Sequence, residues 1–510
     1  LNRGPEHNIQ NPLPPRPNRR AGDRKNTVIP RSRCGFSLRS RPLEGAVWGR
    51  ERRSSPSVCR DRVSTPRSEL FQPMARQSPI QPLHDQADAM MLPYGPDDVA
   101  PPASSDAEGN AKPVPAPSPP IQIVGTYGEL ELEYAAIRKG CLLLDLPQRA
   151  VLEVAGAERL EFLNRMVTQE LKPAKKWLDP FQSVSSFWLN RKGRIDADLR
   201  VIILPDRVLL ECDAHAAQRA FDGLAAFIIM EDAAIRDLSA TTHRLALHGP
   251  TAAKLLEAVS TPVAGPSIAT LEPNQATLVR IGEGEVIFDR RDQTGEPGLD
   301  LIAPTEHARA IYELLLQRGF PHEHVHERAH STELSAEVRL RPGGWHAFNI
   351  ARIEAGTPLY YIDFGPNSLP AETGVVDDRV SFTKGCYLGQ EVVARMHSRG
   401  HSKRKLVALL ADPTAARAPS EPNDINDPYL AGMPQPVSGA QVLPLEGEAT
   451  ESVGVITSST LSPMNAATAI CFAAIKNDLA TPASKFRVPA ESELLVMTTQ
   501  PTLRTLPRRP

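Results

Sequence analysis

From Ile121 onward, strand-length apolar runs and helical stretches follow one another in no fixed order, and this irregularity is the strongest constraint on the fold. A doubly wound parallel sheet needs regular alternation of strand and helix, because each parallel crossover carries a helix across the sheet. The chain lacks that rhythm, and no G-x-G-x-x-G or G-x-x-x-x-G-K-[ST] stretch cradles a phosphate. An α+β architecture follows.

The elements can be read locally. Glu129 to Lys139 reads as a helix stopped by Gly140, and Cys141 to Leu144 as a buried strand. Arg149 to Val154 is a second strand, and Ala157 to Met166 an amphipathic helix. Ser183 to Leu189 and Ile195 to Leu204 flank the turn Asn190 to Arg194, and Val208 to Cys212 follows. Asp213 is placed to cap a helix over Ala214 to Ala226. Phe227 to Leu238 reads as strand, as do Arg244 to His248, Glu285 to Asp289 and Leu299 to Ile302. Helices are expected from near Thr251 and over Glu306 to Arg318. Beyond Gly400 the strands shorten, over Lys405–Ala411, Gln441–Leu443, Ser452–Thr457, Ala467–Ala474 and Ser492–Met497, which suggests a small β-barrel or sandwich.

The division expected is therefore 1–120, 121–400 and 401–510. Residues 1 to about 76 are rich in Arg, Pro and Ser, and residues 77 to 120 stay Pro-, Ala- and Ser-rich, so order is expected to begin near Ile121. The first methionine is Met74. The leader reads as an extension ahead of a natural start, as a disordered tail, or as a transit peptide that would direct the chain to the mitochondrial matrix instead of a bacterial cytoplasm. No uninterrupted apolar run reaches the roughly 18 residues of a membrane span. The six cysteines are far apart and form no C-x-x-C pair. That argues against a zinc ribbon, a redox pair or a resident iron–sulfur ligand set, and for free thiols in a reducing compartment.

One cysteine stands in distinctive company. Lys384-Gly385-Cys386-Tyr387-Leu388-Gly389-Gln390-Glu391 sets Cys386 between two glycines and just ahead of an expected helix over Gln390 to His397, with Gly400 after it. A nearby lysine and a helix N-terminus favour a thiolate, and with it a reactive cysteine. The alternative is a small apolar side chain packing a strand-to-helix turn.

This octapeptide, with Val393-Ala394-Arg395, Arg399-Gly400 and Lys403-Arg404, resembles the signature of the YgfZ-type folate-binding proteins. These belong to the glycine-cleavage T-protein (aminomethyltransferase) superfamily, whose eukaryotic relatives serve mitochondrial iron–sulfur cluster assembly. Asn190 with Gly193, His248-Gly249-Pro250, Thr294-Gly295-Glu296, Arg352-Ile353-Glu354-Ala355-Gly356 and Leu369-Pro370 stand in the order that superfamily shows. The resemblance implies a folate-binding body of intertwined α+β subdomains, a C-terminal β-barrel, and tetrahydrofolate as cofactor. It implies a pterin contact at Asp300, and pocket roles for Arg352, Glu354, Asp198 and Tyr387. A carboxylate can accept two bonds from the pterin's amide edge, and an arginine can pair with the folate tail. For Arg352 and Glu354 the alternative is a structural ion pair.

The resemblance also locates a departure. Aminomethyltransferases carry two adjacent aspartates after this hairpin turn, and here Ile195-Asp196-Ala197-Asp198 puts the first of them on Ala197. A shift by one residue reverses the face of a strand side chain, so Asp196 does not replace it without a bulge. The expected activity is that of a folate-binding accessory to iron–sulfur cluster assembly or maintenance, with Cys386 and Lys384 as its chemical groups. Its partners would be folate and the iron–sulfur proteins or their assembly machinery. A folate-dependent aminomethyltransferase is the alternative. The basic cluster His397, Arg399, His401, Lys403, Arg404 and Lys405 reads as a solvated surface or as a landing site for an acidic partner or folate tail. Without interleaved aromatics it is no nucleic-acid platform.

Overall fold

A computed structural model describes residues 76–95, 121–320, 333–400, 402–412, 434–446, 451–490 and 493–506. Residues 1–75 and the Pro-rich stretches at 96–120 and 413–433 lie outside them. The fold is a mixed α+β body with a C-terminal closed barrel.

Two sheets form the body. One has seven strands, in spatial order Thr261–Ala264, Ala276–Ile281, Gly284–Arg290, Gly298–Pro304, Thr242–His248, Cys141–Asp145 and Leu340–Pro342. Its pairings are antiparallel except the last, Leu340–Pro342 on Cys141–Asp145. The other has five, in order Ser183–Leu189, Ile195–Ile203, Arg207–Asp213, Arg149–Ala155 and Ala234–Asp237. Helices cover the outer faces. Leu255, Leu256, Ile311 and Leu315 pack on the first sheet, and Phe162, Leu163, Ala216 and Ala220 on the second. Burial of these side chains, worth roughly 25 cal/mol per Å² of apolar surface, is what fixes amphipathic helices against sheets.

The inner faces meet through Val151, Ile202 and Leu209 of the five-stranded sheet and Ala276, Ile287 and Ile302 of the seven-stranded one. Register then dictates what lies beside this apolar contact. Ile202 pairs with Leu209, and Arg200 with Glu211; Ile287 pairs with Ile302, and Asp289 with Asp300. Because strand side chains alternate with period two, the Arg200–Glu211 and Asp289–Asp300 rows share the inner faces with those aliphatic rows. The space between the sheets is apolar at one end and ionic at the other.

The C-terminal strands close in the order Arg404–Ala411, Thr468–Lys476, Gly454–Ser462, Gln441–Pro444, Lys485–Ala490 and Glu493–Thr499. Closure removes both sheet edges. The Trp345–Ala355 helix joins body to barrel, with Ile353 packing on Leu406, Ala408, Ile470 and Phe472.

Several local expectations are corrected. Regular structure is already present before Ile121: a short helix, Gln81–Gln86, and a strand, Met90–Tyr94, precede it, and that strand pairs with Ile121–Thr126. Of Phe227 to Leu238, only Ala234–Asp237 is strand, because the side chain of Glu231 accepts from the N–H groups of Ile229 and Met230 and bends the chain there. The strands Thr261–Ala264, Ala276–Ile281 and Lys485–Ala490 were not expected. Among the described residues no helix is long and apolar enough to cross a membrane.

Candidate functional site

The ionic layer between the sheets is the chemically richest place in the molecule. Arg200 is buried and fully committed: Nε donates to Asp289 Oδ2 at 2.7 Å, and Nη2 reaches Asp289 Oδ1 at 3.0 Å and Ser183 Oγ at 2.8 Å. Glu211, buried between Arg149 and Arg244, is held down to about 2: burial opposes its charge, but Arg149 and then Arg244 outweigh it. Arg244 Nη2 lies 3.4 Å from Asp300 Oδ2. Burial, with Glu211 adding to it, pushes Asp300 up to about 6 against the opposing charges of Arg244 and Arg291.

The same cluster holds unused hydrogen-bonding capacity. Asp300 Oδ1, Glu211 Oε2, and Nε and Nη1 of Arg244 are buried without a hydrogen-bond partner. A buried unsatisfied polar atom costs about 1–3 kcal/mol, so four together suit a site that a polar ligand completes. A cavity of about 230 Å³ adjoins it, lined among others by Ser185, Arg200, Asn274, Arg291 and Arg379. Arg291 Nη1 comes within 3.9 Å of Glu211 Oε2, linking cavity and cluster. Burial, reinforced by Arg379 and Arg200, lowers the proton affinity of Arg291, as expected where three guanidinium groups face one space. Asp198 accepts from Arg379 Nε at 3.2 Å beside this cavity.

Arg352 and Glu354 lie elsewhere, on the helix that joins body to barrel, and both are fully buried. Arg352 donates to Asp363 Oδ2 at 2.6 Å, Ser458 Oγ at 2.6 Å, Asn349 Oδ1 at 3.0 Å and the Thr357 carbonyl at 3.1 Å. Glu354 accepts from Tyr134 at 2.6 Å, Arg138 at 2.5 Å and Ser462 at 2.5 Å. These bonds tie helix to barrel.

The Cys386 loop is a second locus. Cys386 is exposed, whereas Cys141, Cys212 and Cys471 are buried; all four are free. The helix that follows begins at Gln390, with Gly389 as its N-cap, so the thiol stands ahead of the first turn and not within it. Lys384 also differs from the sequence expectation. Its ammonium is buried and donates to the carbonyls of Asn164 and Val167 at 2.7 Å and of Gln169 at 3.0 Å. Burial brings it down to about 8, with Glu170 acting the other way. Lys384 is thus a pin that anchors the loop to the end of the Arg159–Met166 helix. Tyr387 packs in the body core, its ring centroid 5.1 Å from the Lys384 ammonium, and burial pushes its hydroxyl up to about 12. Leu388 N donates to the Arg165 carbonyl at 3.2 Å, and Gln390 Nε2 to that of Gly385 at 3.3 Å. Gly389 has φ +81°, and a Cβ there would meet Asn190 O at 2.9 Å, so a glycine is needed where the loop crosses the hairpin.

In that hairpin Ala197 is fully buried among apolar side chains, in the same core as Tyr360 and Phe364. Asp198 pairs with Phe187 and faces the ionic layer. The register shifts between Trp188 and Leu189, so Asp196 sits unpaired in a bulge beside Ala197, the irregularity without which it could not take the expected carboxylate's place. Asp196 is half-buried, hydrogen-bonded by Asn190 Nδ2 at 3.1 Å, and burial raises its pKa. Among the described residues no group of three or more His, Cys, Asp or Glu is arranged to hold a metal ion.

Of the residues singled out in the sequence, Asp300 lies in the ionic layer and Asp198 beside its cavity, while Arg200, Glu211, Arg244, Asp289, Arg291 and Arg379 stand in none of the motifs read there. A signal existed: Glu211 interrupts Val208-Leu209-Leu210, and Asp289 ends Val286-Ile287-Phe288. A charge within an otherwise buried strand needs a partner or a ligand.

Comparison with known proteins gives the family and the fold. The family described as GCVT N-terminal domain matches residues 126–382. The aminomethyltransferase of Caldanaerobacter subterraneus is 26% identical over 284 residues, covering 54% of this chain and 68% of the relative. That of Halothermothrix orenii is 25% identical over 372 residues, covering 73% and 89%. The fold is similar to the glycine cleavage system aminomethyltransferase T from Bartonella henselae, with TM-score 0.64 and 20% identity over 86% of this chain and 99% of that one. The matched region spans both sheets, the ionic layer and the start of the Cys386 approach, and the chain belongs to the GCVT N-terminal domain family of the T-protein superfamily.

Proposed function

We propose that this chain is a YgfZ-type protein that binds tetrahydrofolate and serves iron–sulfur cluster assembly or maintenance through Cys386. What supports this reading is an exposed, firmly anchored thiol together with Ala197, a buried core alanine where the resemblance to aminomethyltransferases expects a carboxylate. A protein that transfers a methylene group onto folate needs that carboxylate, whereas a thiol-based accessory does not.

Folate fits the ionic layer. A pterin presents adjacent amide donors and an amide oxygen. Asp300 Oδ1 and Glu211 Oε2 are free acceptors, and Nε and Nη1 of Arg244 are free donors. Arg291 and Arg379, on the cavity side, suit the carboxylates of a folate tail. Arg352 and Glu354 would support the pocket wall by locking its helix to the barrel. When bound, tetrahydrofolate supplies ring nitrogens able to carry a one-carbon unit; the protein's share is to hold the ring in a water-poor cleft. In this reading residues 121–400 form the folate-binding part and 401–510 the barrel, and the chain works in a reducing compartment such as the bacterial cytoplasm, where its thiols stay free.

The second reading is a folate-dependent aminomethyltransferase, favoured by the named relatives. Turnover with an aminomethylated lipoyl carrier and tetrahydrofolate separates the two. We expect folate binding without methylene transfer; robust transfer would make the second reading the main activity.

A further inference from the structure

Beside the Cys386 loop lies a groove whose lining shares no residue with that of the ionic-layer cavity. The hairpin tip Asn190–Arg194, the 3-10 turn Pro370–Glu372 and the Gln390–Arg399 helix enclose it, and its lining is almost wholly apolar: Gly193, Leu369, Pro370, Val392, Met396 and Phe382 among others. Phe382 forms one lip. It is 39% exposed and stacks on His397 with ring centroids 3.9 Å apart. An apolar recess kept open beside an exposed thiol is unusual for a solvated surface.

The charges around it are mainly positive. Arg191 and Lys192 at the hairpin tip and Arg395 on the helix are exposed, and none has an ion-pair partner among the described residues. Arg194 and Arg404 flank the third side near Glu372, whose carboxyl burial pushes up, opposed by the N–H of Leu369 and then by these two cations. Against these stand the exposed Glu391, Asp377 and Asp378, the last of them paired with Arg379. Three unpaired cations, from the hairpin tip and the helix that enclose the recess, thus stand against two unpaired acids, Glu391 and Asp377.

We propose that this groove docks an acidic protein segment that inserts one apolar side chain between the hairpin and the helix, and so brings its owner up to Cys386. The groove residues Phe382 and Val392 flank the thiol loop on either side in sequence, and Lys384 pins that loop in place, so the docked segment and the thiol share one rigid frame. The inference rests on Cys386 as the working group, but its test does not.

The probe is a fluorescein-labelled peptide, Asp-Glu-Leu-Phe-Glu-Asp, read by anisotropy on the full chain, beside Lys-Lys-Leu-Phe-Lys-Lys and Asp-Glu-Ser-Ser-Glu-Asp. We expect saturable binding of the first peptide below about 1 mM, weakened by salt, and neither control binding comparably. Met396→Glu and the pair Lys192→Glu/Arg395→Glu should each weaken it about tenfold while folate affinity stays unchanged. Cys386→Ser should bind the peptide like wild type, which separates this proposal from the thiol reading. No saturable binding, equal binding of the lysine peptide, or variants that bind unchanged would overturn it.

Discussion

Asp300→Asn isolates the electrostatics of the ionic layer. Asp300 is about 3% exposed, its Oδ1 has no partner, and Arg244 stands 3.4 Å from Oδ2. Burial raises its pKa from 3.8 to about 6. The native state therefore holds this proton more tightly than the unfolded chain. The stabilisation from the neutral acid is complete below about pH 4 and is lost as pH rises through about 6. Two pH units correspond to roughly 3 kcal/mol, the amount by which the buried carboxylate weakens the apo protein at pH 8. Asparagine keeps the shape and an acceptor for Arg244 but carries no charge. Its amide group, left without a partner, returns about 1–2 kcal/mol, so a net gain of about 1–2 kcal/mol is expected at pH 8. At pH 4 that gain disappears or reverses. The assay is urea denaturation of both proteins from pH 4 to 8, taken as a difference so that His248, which burial holds down to about 4, cancels. Calorimetry at pH 8 should show weaker tetrahydrofolate binding, because the amide cannot accept twice. A stability difference that stays constant across pH would refute the reasoning.

Three further outcomes follow from the same geometry. Lys384→Met keeps the aliphatic stem but strands three carbonyls, and should cost about 2–4 kcal/mol in denaturation while changing the alkylation rate of Cys386. Gly389→Ala meets both a positive φ and the Asn190 carbonyl, so a loss of about 2 kcal/mol or more is expected in thermal melts, without change in folate affinity. Arg291→Ala removes one of three facing guanidinium groups. Stability should hold or rise slightly, while tetrahydrofolate binding measured by calorimetry weakens about tenfold.

Much of the fold is legible locally. The hairpin about Asn190–Arg194, the Asp213 cap, whose side chain accepts from His215 N at 2.9 Å, and the run of short C-terminal strands all follow from turn residues and alternation. What escapes is held by distant partners. The helix Gln81–Gln86 lies in Pro-rich sequence, yet Ile80 is buried in the core beneath the seven-stranded sheet and His84 reaches Asp145 at 2.8 Å, sixty-one residues away. Its strand, Met90–Tyr94, is stabilised by Ile121–Thr126 across a long insertion. All four residues of Thr261–Ala264 are exposed and one is Pro262, so its pattern gives no alternation to read. The site divides the same way. Cys386 and Asp300 stand in short motifs, whereas Arg200 meets Asp289 only because two sheets stack, and no local window contains both. Two residues apart in sequence, Lys384 and Cys386 suggest a lysine–thiol pair. The loop turns its ammonium instead toward carbonyls more than two hundred residues earlier.

The central claim is tested most directly in cells lacking their own cluster-maintenance factor, complemented with this chain or with its Cys386→Ser variant. The readout is the activity of an iron–sulfur enzyme, with folate affinity and melting temperature measured on the purified proteins. The account predicts that the wild-type chain restores the enzyme and that Cys386→Ser does not, although it folds and binds tetrahydrofolate normally. Full restoration by Cys386→Ser would contradict it.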